Sequence, residues 1–137
     1  MNTRISVQLG DVGATLTLFD DLAPLAAHKL LGVLPIDAEL RHVRWSGETG
    51  YFLLASLAEP GAQLENAVTF YPRGSLIYRP EHGEFAFTYG QAQARDNVKL
   101  ADHACLLGAL EENAEPFLEL VRKTRTEGRQ PLRLSGS

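Results

Sequence analysis

The chain has 137 residues, of which 45% are hydrophobic, and its formal net charge is −4 at pH 7. This length suits one domain around a single core, and the hydrophobic share is typical of globular rather than disordered proteins. The acidic balance, without a basic cluster, argues against nucleic acid as a partner. No apolar run approaches the roughly 20 residues that span a bilayer, so we expect no membrane association.

Two features predict a cytoplasmic protein. The first residues lead into a strand instead of the apolar segment of a signal peptide. The single cysteine, Cys105, cannot form an internal disulfide, as is usual in a reducing compartment.

The first third of the chain predicts a hairpin followed by a helix. Arg4–Leu9 and Ala14–Leu18 alternate apolar and polar residues around a glycine-rich turn. The helix is predicted over Pro24–Leu34, because proline is favoured in a first turn and Pro35 ends it. Its buried stripe is predicted to contain Ala26, Leu30, Val33 and Leu34, with His28 exposed.

A second hairpin is predicted from Leu40–Trp45 and Tyr51–Ser56, joined by a turn at Ser46–Gly50 with two glycines. Burying Val43 and Trp45 stabilises more than burying the polar face, by roughly 1.5–3 kcal/mol for each large apolar side chain. We therefore expect these two residues to face the core, and His42 and Arg44 to face outward.

Several strands follow in the middle of the chain. They are predicted at Ala67–Tyr71, Leu76–Arg79 and Phe85–Tyr89, with a type I turn at Tyr71-Pro72-Arg73-Gly74 and a loop at Gly90–Asn97. Within the third, Phe85, Phe87 and Tyr89 share one face, which we expect to be core.

The last third contains one ambiguous segment. Val98–Leu110 has helix propensity, yet its short apolar run fits a buried strand equally well. Asn113–Thr126 is a clearer helix, with Phe117, Leu120 and Val121 on one stripe and Gly128 after its end. Pro131–Leu134 is predicted as a final strand.

Three parts of the chain resemble cyclophilins. Asp21-Leu22-Ala23-Pro24, followed by Leu30, is similar to the motif that opens the first cyclophilin helix. His42 and its neighbouring arginines fall where cyclophilins carry a Phe-His-Arg strand. Leu106–Glu112 looks like the cyclophilin strand that leads into the second helix, and on this resemblance Ala104–Leu110 is interpreted as a strand.

A closer resemblance is to small bacterial cyclophilin-like proteins of unknown function. It rests on Arg44-Trp45-Ser46-Gly47-Glu48 together with Tyr71-Pro72-Arg73-Gly74. The resemblance implies a mainly β fold over residues 1–137, a closed barrel of about eight strands capped by two helices. We expect no cofactor.

The chain departs from true cyclophilins at two motifs. Ser46-Gly47-Glu48-Thr49 stands where they have Gln-Gly-Gly-Asp, and Phe85-Ala86-Phe87 where they have Gln-Phe-Phe. Because the missing residues line the proline pocket, the fold can persist while the function changes.

The preferred hypothesis is therefore a barrel that binds a small anionic or peptide-like ligand without prolyl isomerase activity. Arginine supplies paired donors to an anion and aromatic side chains supply walls. The predicted ligand-binding residues are Arg44, Trp45, Glu48, Tyr71 and Tyr78.

Two alternatives stay open. A divergent prolyl isomerase would use Arg44 or Arg41 to stabilise the twisted amide. A structural subunit would use its aromatic surface to form a homodimer. The arginines also fit simple surface charges paired with Glu48, and Trp45 fits a core residue.

Other chemistries have weaker support. The four histidines lie on different elements without metal-ligand spacing, so no metal site is predicted. Cys105 sits in an apolar run typical of a buried, unreactive thiol. No glycine-rich loop has the phosphate-binding pattern.

Overall fold

The computed structural model describes residues 2–95 and 102–136. Its strands and helices, in chain order, are β1 (Thr3–Leu9), β2 (Val12–Leu18), α1 (Pro24–Gly32), β3 (Ile36–His42), β4 (Gly47–Leu53), β5 (Ala67–Val68), β6 (Phe70–Tyr71), β7 (Ser75–Arg79), β8 (Glu84–Gln93), β9 (Ala104–Leu110), α2 (Ala114–Glu127) and β10 (Gln130–Gly136). None of the described helices is both long and apolar enough to cross a bilayer.

Eight of these strands form a closed antiparallel barrel in the order β2-β1-β10-β3-β4-β8-β7-β9. The ring closes where β9 returns to β2, with Leu18 opposite Gly108. A Cβ atom on Gly108 would lie 2.5 Å from the Thr17 carbonyl oxygen, so only glycine lets these strands approach. The closed, mainly β barrel with two helices is therefore confirmed.

The barrel interior contains the main hydrophobic core. Phe85, Phe87 and Tyr89 are 1%, 0% and 8% exposed, which confirms the predicted aromatic face. Phe117 of α2 meets Phe87 edge-on, with ring centroids 5.0 Å apart. Burial of each such side chain stabilises the fold by roughly 1.5–3 kcal/mol, and Phe117 contributes to holding α2 on the barrel together with the buried Leu118 and Val121.

A second apolar cluster lies on the outer face of β7, β8 and β9. Along β7, Leu76 and Tyr78 belong to the interior core, whereas Ile77 between them packs outside with Ala86 and Tyr71. Because Tyr71 belongs to β6, this cluster ties the short outer strands to the barrel wall. The candidate site described below lies beside it.

Helix α1 is shorter than predicted. It ends at Gly32, and the Val33 backbone N–H bonds back to the Leu30 carbonyl oxygen at 3.2 Å, which tightens the last turn. Val33 is 37% exposed, so its predicted burial is wrong, and Ala27 is buried with Ala26 and Leu30 instead. His28 is exposed, as expected.

The N-terminus of α1 is capped from a distant part of the chain. No side chain of its own N-cap residue, Ala23, makes a capping hydrogen bond. The Glu65 carboxylate instead accepts hydrogen bonds from the backbone N–H groups of Leu25 at 3.1 Å and Ala26 at 2.9 Å. Glu65 therefore supplies both the hydrogen bonds and the negative charge that a helix start favours.

The second hairpin differs most from the prediction. β3 begins four residues earlier, at Ile36, and ends at His42, so Val43–Ser46 form the connection. Leu40 is fully buried, which turns His42 inward and Arg41 outward. The predicted facing of His42 and Trp45 was wrong because Leu40 belongs to the strand and sets its alternation, whereas Trp45 lies beyond its end. Arg44 is exposed, as predicted.

His42 is accommodated in the interior by two hydrogen bonds. Its Nδ1 lies 2.9 Å from the Val43 carbonyl oxygen and its Nε2 lies 2.8 Å from the Tyr89 hydroxyl oxygen. Both ring nitrogens therefore have partners, as a half-buried imidazole requires.

β8 is longer than predicted, because Gly90–Gln93 continue it where a loop was expected. This polar extension pairs with β4 on one side and β6 on the other, which the local sequence does not show. The strand at Ala104–Leu110 is confirmed. Residues 96–101, which span the end of the predicted loop and the start of the ambiguous segment, lie outside the described residues.

Two smaller corrections concern a turn and a helix. The Ser75 N–H bonds to the Pro72 carbonyl oxygen at 3.1 Å, so the turn is shifted by one residue and places Gly74 at φ +84°. In α2, Phe117 and Val121 are buried as predicted, but Leu118 joins them. Leu120 is only half-buried.

Candidate functional site

The connection between β3 and β4 displays the single tryptophan. Gly47 has φ +111°, and a Cβ atom there would lie 2.5 Å from the Gln91 carbonyl oxygen, so this position requires glycine. The backbone of the preceding Ser46 is bonded to the end of β8, because its carbonyl oxygen accepts a hydrogen bond from the Gln93 N–H at 2.8 Å. Trp45 is then directed outward and is 47% exposed, so its predicted place in the core is wrong.

The short strand β6 displays a second large aromatic side chain. Phe70 pairs with Gln93 and Tyr71 pairs with Ala92 along β8. Since neighbouring residues of a strand point to opposite faces, Tyr71 is 5% exposed whereas Phe70 is 71% exposed.

A cavity of about 750 Å3 lies between these two elements, and we call it the outer groove. Trp45 and Phe70 are exposed members of its lining, and Tyr71 and the extension of β8 complete it with polar side chains. The lining residues are Trp45, Ser46, Gly47, Phe70, Tyr71, Gly90, Gln91, Ala92, Gln93 and Arg95. Apolar walls with a few polar groups are typical of small-molecule sites.

A smaller cavity of about 390 Å3 adjoins the outer groove through Trp45, Ser46 and Arg95, which line both. Its lining adds Arg44 from the same connection and Arg79 from β7. Three guanidinium groups thus surround these joined cavities.

Arg79 is the buried member of this polar region, at 7% exposure. It donates from Nη2 to the Asp102 carboxylate and from Nη1 to the Arg95 carbonyl oxygen, each at 2.8 Å. Burial raises the pKa of the adjacent Glu84 carboxyl, opposed by the positive charge of Arg79. Arg79 is thus paired with one carboxylate and lies beside a second.

Tyr71 is the buried tyrosine of the groove. Burial raises the pKa of its hydroxyl to about 12; Arg79 opposes the rise and Glu84 adds to it. Ser46 approaches closely enough to lower that pKa, yet no partner meets hydrogen-bond geometry among the described residues. The hydroxyl stays protonated at neutral pH and is a buried donor without a well-placed acceptor.

The structure brings three of the predicted site residues together, since Arg44, Trp45 and Tyr71 all line the joined cavities. Glu48 lies behind the groove, where its carboxylate accepts a hydrogen bond from the Gln91 backbone N–H at 2.8 Å. Tyr78 lies in the barrel core, 2% exposed, and its hydroxyl donates to the Leu57 carbonyl oxygen at 2.6 Å.

Arg41, the other predicted arginine, lines a different cavity of about 510 Å3 with Asp37, Glu39 and Leu53. Arg41 lies within β3, one residue before the strand ends at His42, so it does not belong to the connection that carries Trp45.

Sequence reasoning missed Phe70, Arg79 and Arg95 as members of the site. Phe70 had a usable signal, because consecutive aromatic residues in a strand cannot both face one side. The two arginines had none, since pairing between strands that are distant in the chain brings them near Trp45: β7 pairs with β8, and the end of β8 pairs with Gly47.

The described residues form neither a metal centre nor a reactive thiol. Residues 2–95 and 102–136 contain no group of three or more histidine, cysteine, aspartate or glutamate side chains placed to hold a metal ion. Cys105 is buried, and burial raises the pKa of its thiol to about 12, so the reactive thiolate is disfavoured.

Comparison with known proteins identifies a family without an assigned role. A family model described as "Protein of unknown function (DUF3830)" matches residues 5–136. No curated protein matches the chain.

Two solved structures resemble this barrel. The structure of McbB in complex with tryptophan has a TM-score of 0.75 at 19% identity, and the match covers 97% of this chain but 44% of McbB. The solution structure of a hypothetical protein from Archaeoglobus fulgidus has a TM-score of 0.68 at 15% identity, covering 99% of this chain and 95% of that one. The chain thus spans less than half of McbB, and identities this low establish the shared fold alone.

Proposed function

We propose that this chain, which belongs to the DUF3830 family of proteins of unknown function, binds a small anionic ligand with a planar or peptide-like group in the outer groove. Arg44, Trp45, Phe70, Tyr71 and Arg95 are its proposed binding residues. Glu48 is proposed to support the groove from behind, through the backbone of Gln91.

One observation supports this proposal above all. Two large aromatic side chains, Trp45 and Phe70, are 47% and 71% exposed and both line the same cavity. Exposing apolar area of this size costs free energy that a planar ligand recovers by covering it. Stacking between aromatic groups adds about 0.5–1.5 kcal/mol for each pair.

The charges around the cavities support an anionic group on the ligand. Arg44 and Arg95 lie beside the aromatic walls, and guanidinium groups bind carboxylates through paired hydrogen bonds.

The solved structure of McbB guides the choice of a first probe. McbB was solved with tryptophan, an aromatic amino acid with a carboxylate, so tryptophan is a suitable first probe for this chain.

We also propose that the barrel is cyclophilin-like. This proposal rests on the motif Asp21-Leu22-Ala23-Pro24 at the start of α1 and on the order of the elements.

The single tryptophan makes the groove observable. Since Trp45 is the only tryptophan of the chain, its fluorescence reports on the groove alone. We would titrate the protein with 4-nitrobenzoate, an aromatic carboxylate that quenches indole fluorescence, and measure the binding of tryptophan itself by calorimetry. Phe70→Ala and Arg44→Ala should each weaken binding about tenfold.

The matched control is Leu25→Ala on α1, because Leu25 is 68% exposed and does not line the groove. It should leave binding unchanged. Equal affinities for the wild type, Phe70→Ala and Arg44→Ala would reject the proposal. If neither probe bound, and if light scattering showed a dimer that Phe70→Ala converted to a monomer, the self-association hypothesis would be favoured instead.

A divergent prolyl isomerase is the second candidate function. The smaller cavity combines Arg44 with the apolar side chains of Val43, Trp45 and Leu53, and isomerisation requires an apolar pocket beside a guanidinium. A protease-coupled assay on Xaa-Pro peptides should show acceleration that Arg44→Ala abolishes. Arg41→Ala serves as the matched control, because Arg41 lines another cavity.

A further inference from the structure

The barrel wall is only partly closed between β3 and β4. Pairing in this part of the ring is limited to Arg41 with Tyr51 and His42 with Gly50, continued by the Val43 N–H to the Thr49 carbonyl oxygen at 3.1 Å. On its other side β3 pairs with β10 from Ile36 to Leu40. The first part of β3 therefore has a neighbour on one side only.

The hydrogen bonds identify which backbone groups face this gap. In an antiparallel strand, alternate residues direct their N–H and C=O groups to opposite neighbours. Because Val43 bonds to β4, Asp37 and Glu39 face the same way, toward the gap. A second bond agrees: the Gly10 N–H donates to the Pro131 carbonyl oxygen at 2.9 Å, so Pro131 faces β1 and its neighbour Leu132 faces β3.

The same reasoning applies to the opposite wall. The Thr49 carbonyl oxygen faces β3, whereas the Leu54 N–H bonds to the Gly83 carbonyl oxygen at 2.8 Å on the β8 side. Leu53 therefore directs its backbone groups into the gap. Among residues 2–95 and 102–136, no strand pairing joins Asp37, Glu39 or Leu53 across the gap, and no hydrogen bond from a turn or loop reaches their backbone there.

A cavity of about 510 Å3 occupies this place, lined by Asp37–Glu39, Arg41 and Tyr51–Leu53. We call it the β3–β4 slot. Leu53 is 56% exposed at its side, while Phe52 is 1% exposed and belongs to the intact core. The slot is therefore a surface feature, with unpaired strand edges on both sides, that does not open the barrel interior.

We propose that the β3–β4 slot binds an extended peptide as an added strand, with basic side chains at alternating positions. Unpaired edges accept a peptide strand through backbone hydrogen bonds, and side chains beside them set the selectivity. The slot shares no lining residue with the outer groove, although Tyr51 and Leu53 also line the smaller cavity, and the proposal does not depend on the function proposed for the groove.

The charges along the edge specify the basic partner. Asp37 and Glu39 project from the outer face of β3, where Asp37 pairs with Arg133 of β10 at 2.7 Å and Glu39 pairs with Arg129, directly before β10, at 3.1 Å. Arg41, the next residue on that face, lies where β3 already pairs with β4. An added strand places its side chains on the other side of the same carboxylates. Lysine or arginine there extends each row of opposite charges, whereas acidic residues face repulsion.

A second copy of the chain fits this edge less well. Antiparallel pairing of two β3 edges about Glu39 places two glutamates opposite each other, and pairing about Ala38 places Asp37 opposite Glu39. Like charges directly opposite destabilise a strand pair. The proposed occupant is therefore a peptide of another molecule.

Amide hydrogen exchange by NMR tests the empty slot first. In the free protein, the amides of Asp37, Glu39 and Leu53 should exchange fast, while those of Ala38 and Leu40, bonded to β10, should be protected. A saturating lysine–threonine peptide, nine residues long and alternating in sequence, should slow the first three by at least about tenfold. The proposal would be overturned if the amides of Asp37, Glu39 and Leu53 were protected in the free protein, whether at every protein concentration or only at high concentration.

Binding is measured by fluorescence anisotropy of the labelled lysine–threonine peptide, with a glutamate–threonine peptide of equal length as its matched control. Glu39→Pro removes one N–H that faces the slot and should abolish binding, while Trp45→Ala in the outer groove should not change it. Should Glu39→Pro fail to fold, the double variant Asp37→Lys with Glu39→Lys should reverse the preference between the two peptides. No saturable binding of the lysine peptide up to about 1 mM, or equal binding of both peptides, would overturn the proposal.

Discussion

Removing the hydroxyl of Tyr71 is expected to stabilise the protein. Tyr71 is 5% exposed, and its hydroxyl has no hydrogen-bond partner of normal geometry among the described residues. A buried hydroxyl that lacks a partner costs about 1–3 kcal/mol relative to water. Since Ser46 lies close enough to lower its pKa, we take the lower end and expect Tyr71→Phe to gain about 1 kcal/mol.

Tyr78→Phe is the matched control, and its effect should have the opposite sign. Tyr78 is 2% exposed, so the two tyrosines are buried to a similar extent. Its hydroxyl donates to the Leu57 carbonyl oxygen at 2.6 Å, and removing it leaves that oxygen buried without its donor. We expect a loss of about 1–2 kcal/mol.

Urea unfolding followed by circular dichroism measures both variants against the wild type. For a chain of this size, 1 kcal/mol corresponds to a shift in Tm of roughly 3–4 °C, so a thermal melt checks the sign independently. Equal destabilisation by Tyr71→Phe and Tyr78→Phe would refute the reasoning, because it would mean that the Tyr71 hydroxyl forms a full hydrogen bond in solution.

Three further predictions concern the scaffold and its response to pH. Glu65→Gln should lower the free energy of unfolding by about 1 kcal/mol in urea, because the charged cap of α1 is lost. Gly108→Ala should cost about 1–3 kcal/mol in the same assay, since its Cβ atom would lie 2.5 Å from the Thr17 carbonyl oxygen where the ring closes, and an unchanged midpoint would contradict that geometry. Burial raises the pKa of the Glu84 carboxyl above its unfolded value, so its contribution to stability is full at low pH and is lost as pH rises through the raised value. The urea midpoint of Glu84→Gln relative to the wild type should therefore rise between about pH 4 and pH 7, and a flat difference would show that Glu84 is not desolvated.

Some elements were predictable because local signals agreed with the final packing. The first hairpin and the second helix combine a clear apolar period with turn or capping residues. The face of Phe85, Phe87 and Tyr89 was predictable because a strand alternates and its aromatic side is normally buried. The strand at Ala104–Leu110 was predicted only through the resemblance, since its local propensity favoured a helix equally.

Only part of the candidate site could be predicted from the sequence. Arg44, Trp45 and Tyr71 were predicted as neighbours, and the structure places them at joined cavities. Arg79 and Arg95 were not, because each is distant in sequence from Trp45 and arrives through strand pairing.

By itself the sequence determined the first hairpin, the second helix and the aromatic face of β8, because hydrophobic period, turn residues and helix starts are local properties that packing here reinforced. The closed barrel was predicted from the resemblance to cyclophilin-like proteins and not from these local patterns. Only the tertiary structure decided which face of β3 is buried, since the alternation of Leu40 and His42 gains its meaning from where the strand begins and ends. The tertiary structure also decided that β8 continues through Gln93 and that β3 and β4 separate beyond Arg41 and Tyr51. Strand register and strand separation depend on partners that are remote in the chain, so no local pattern contains them.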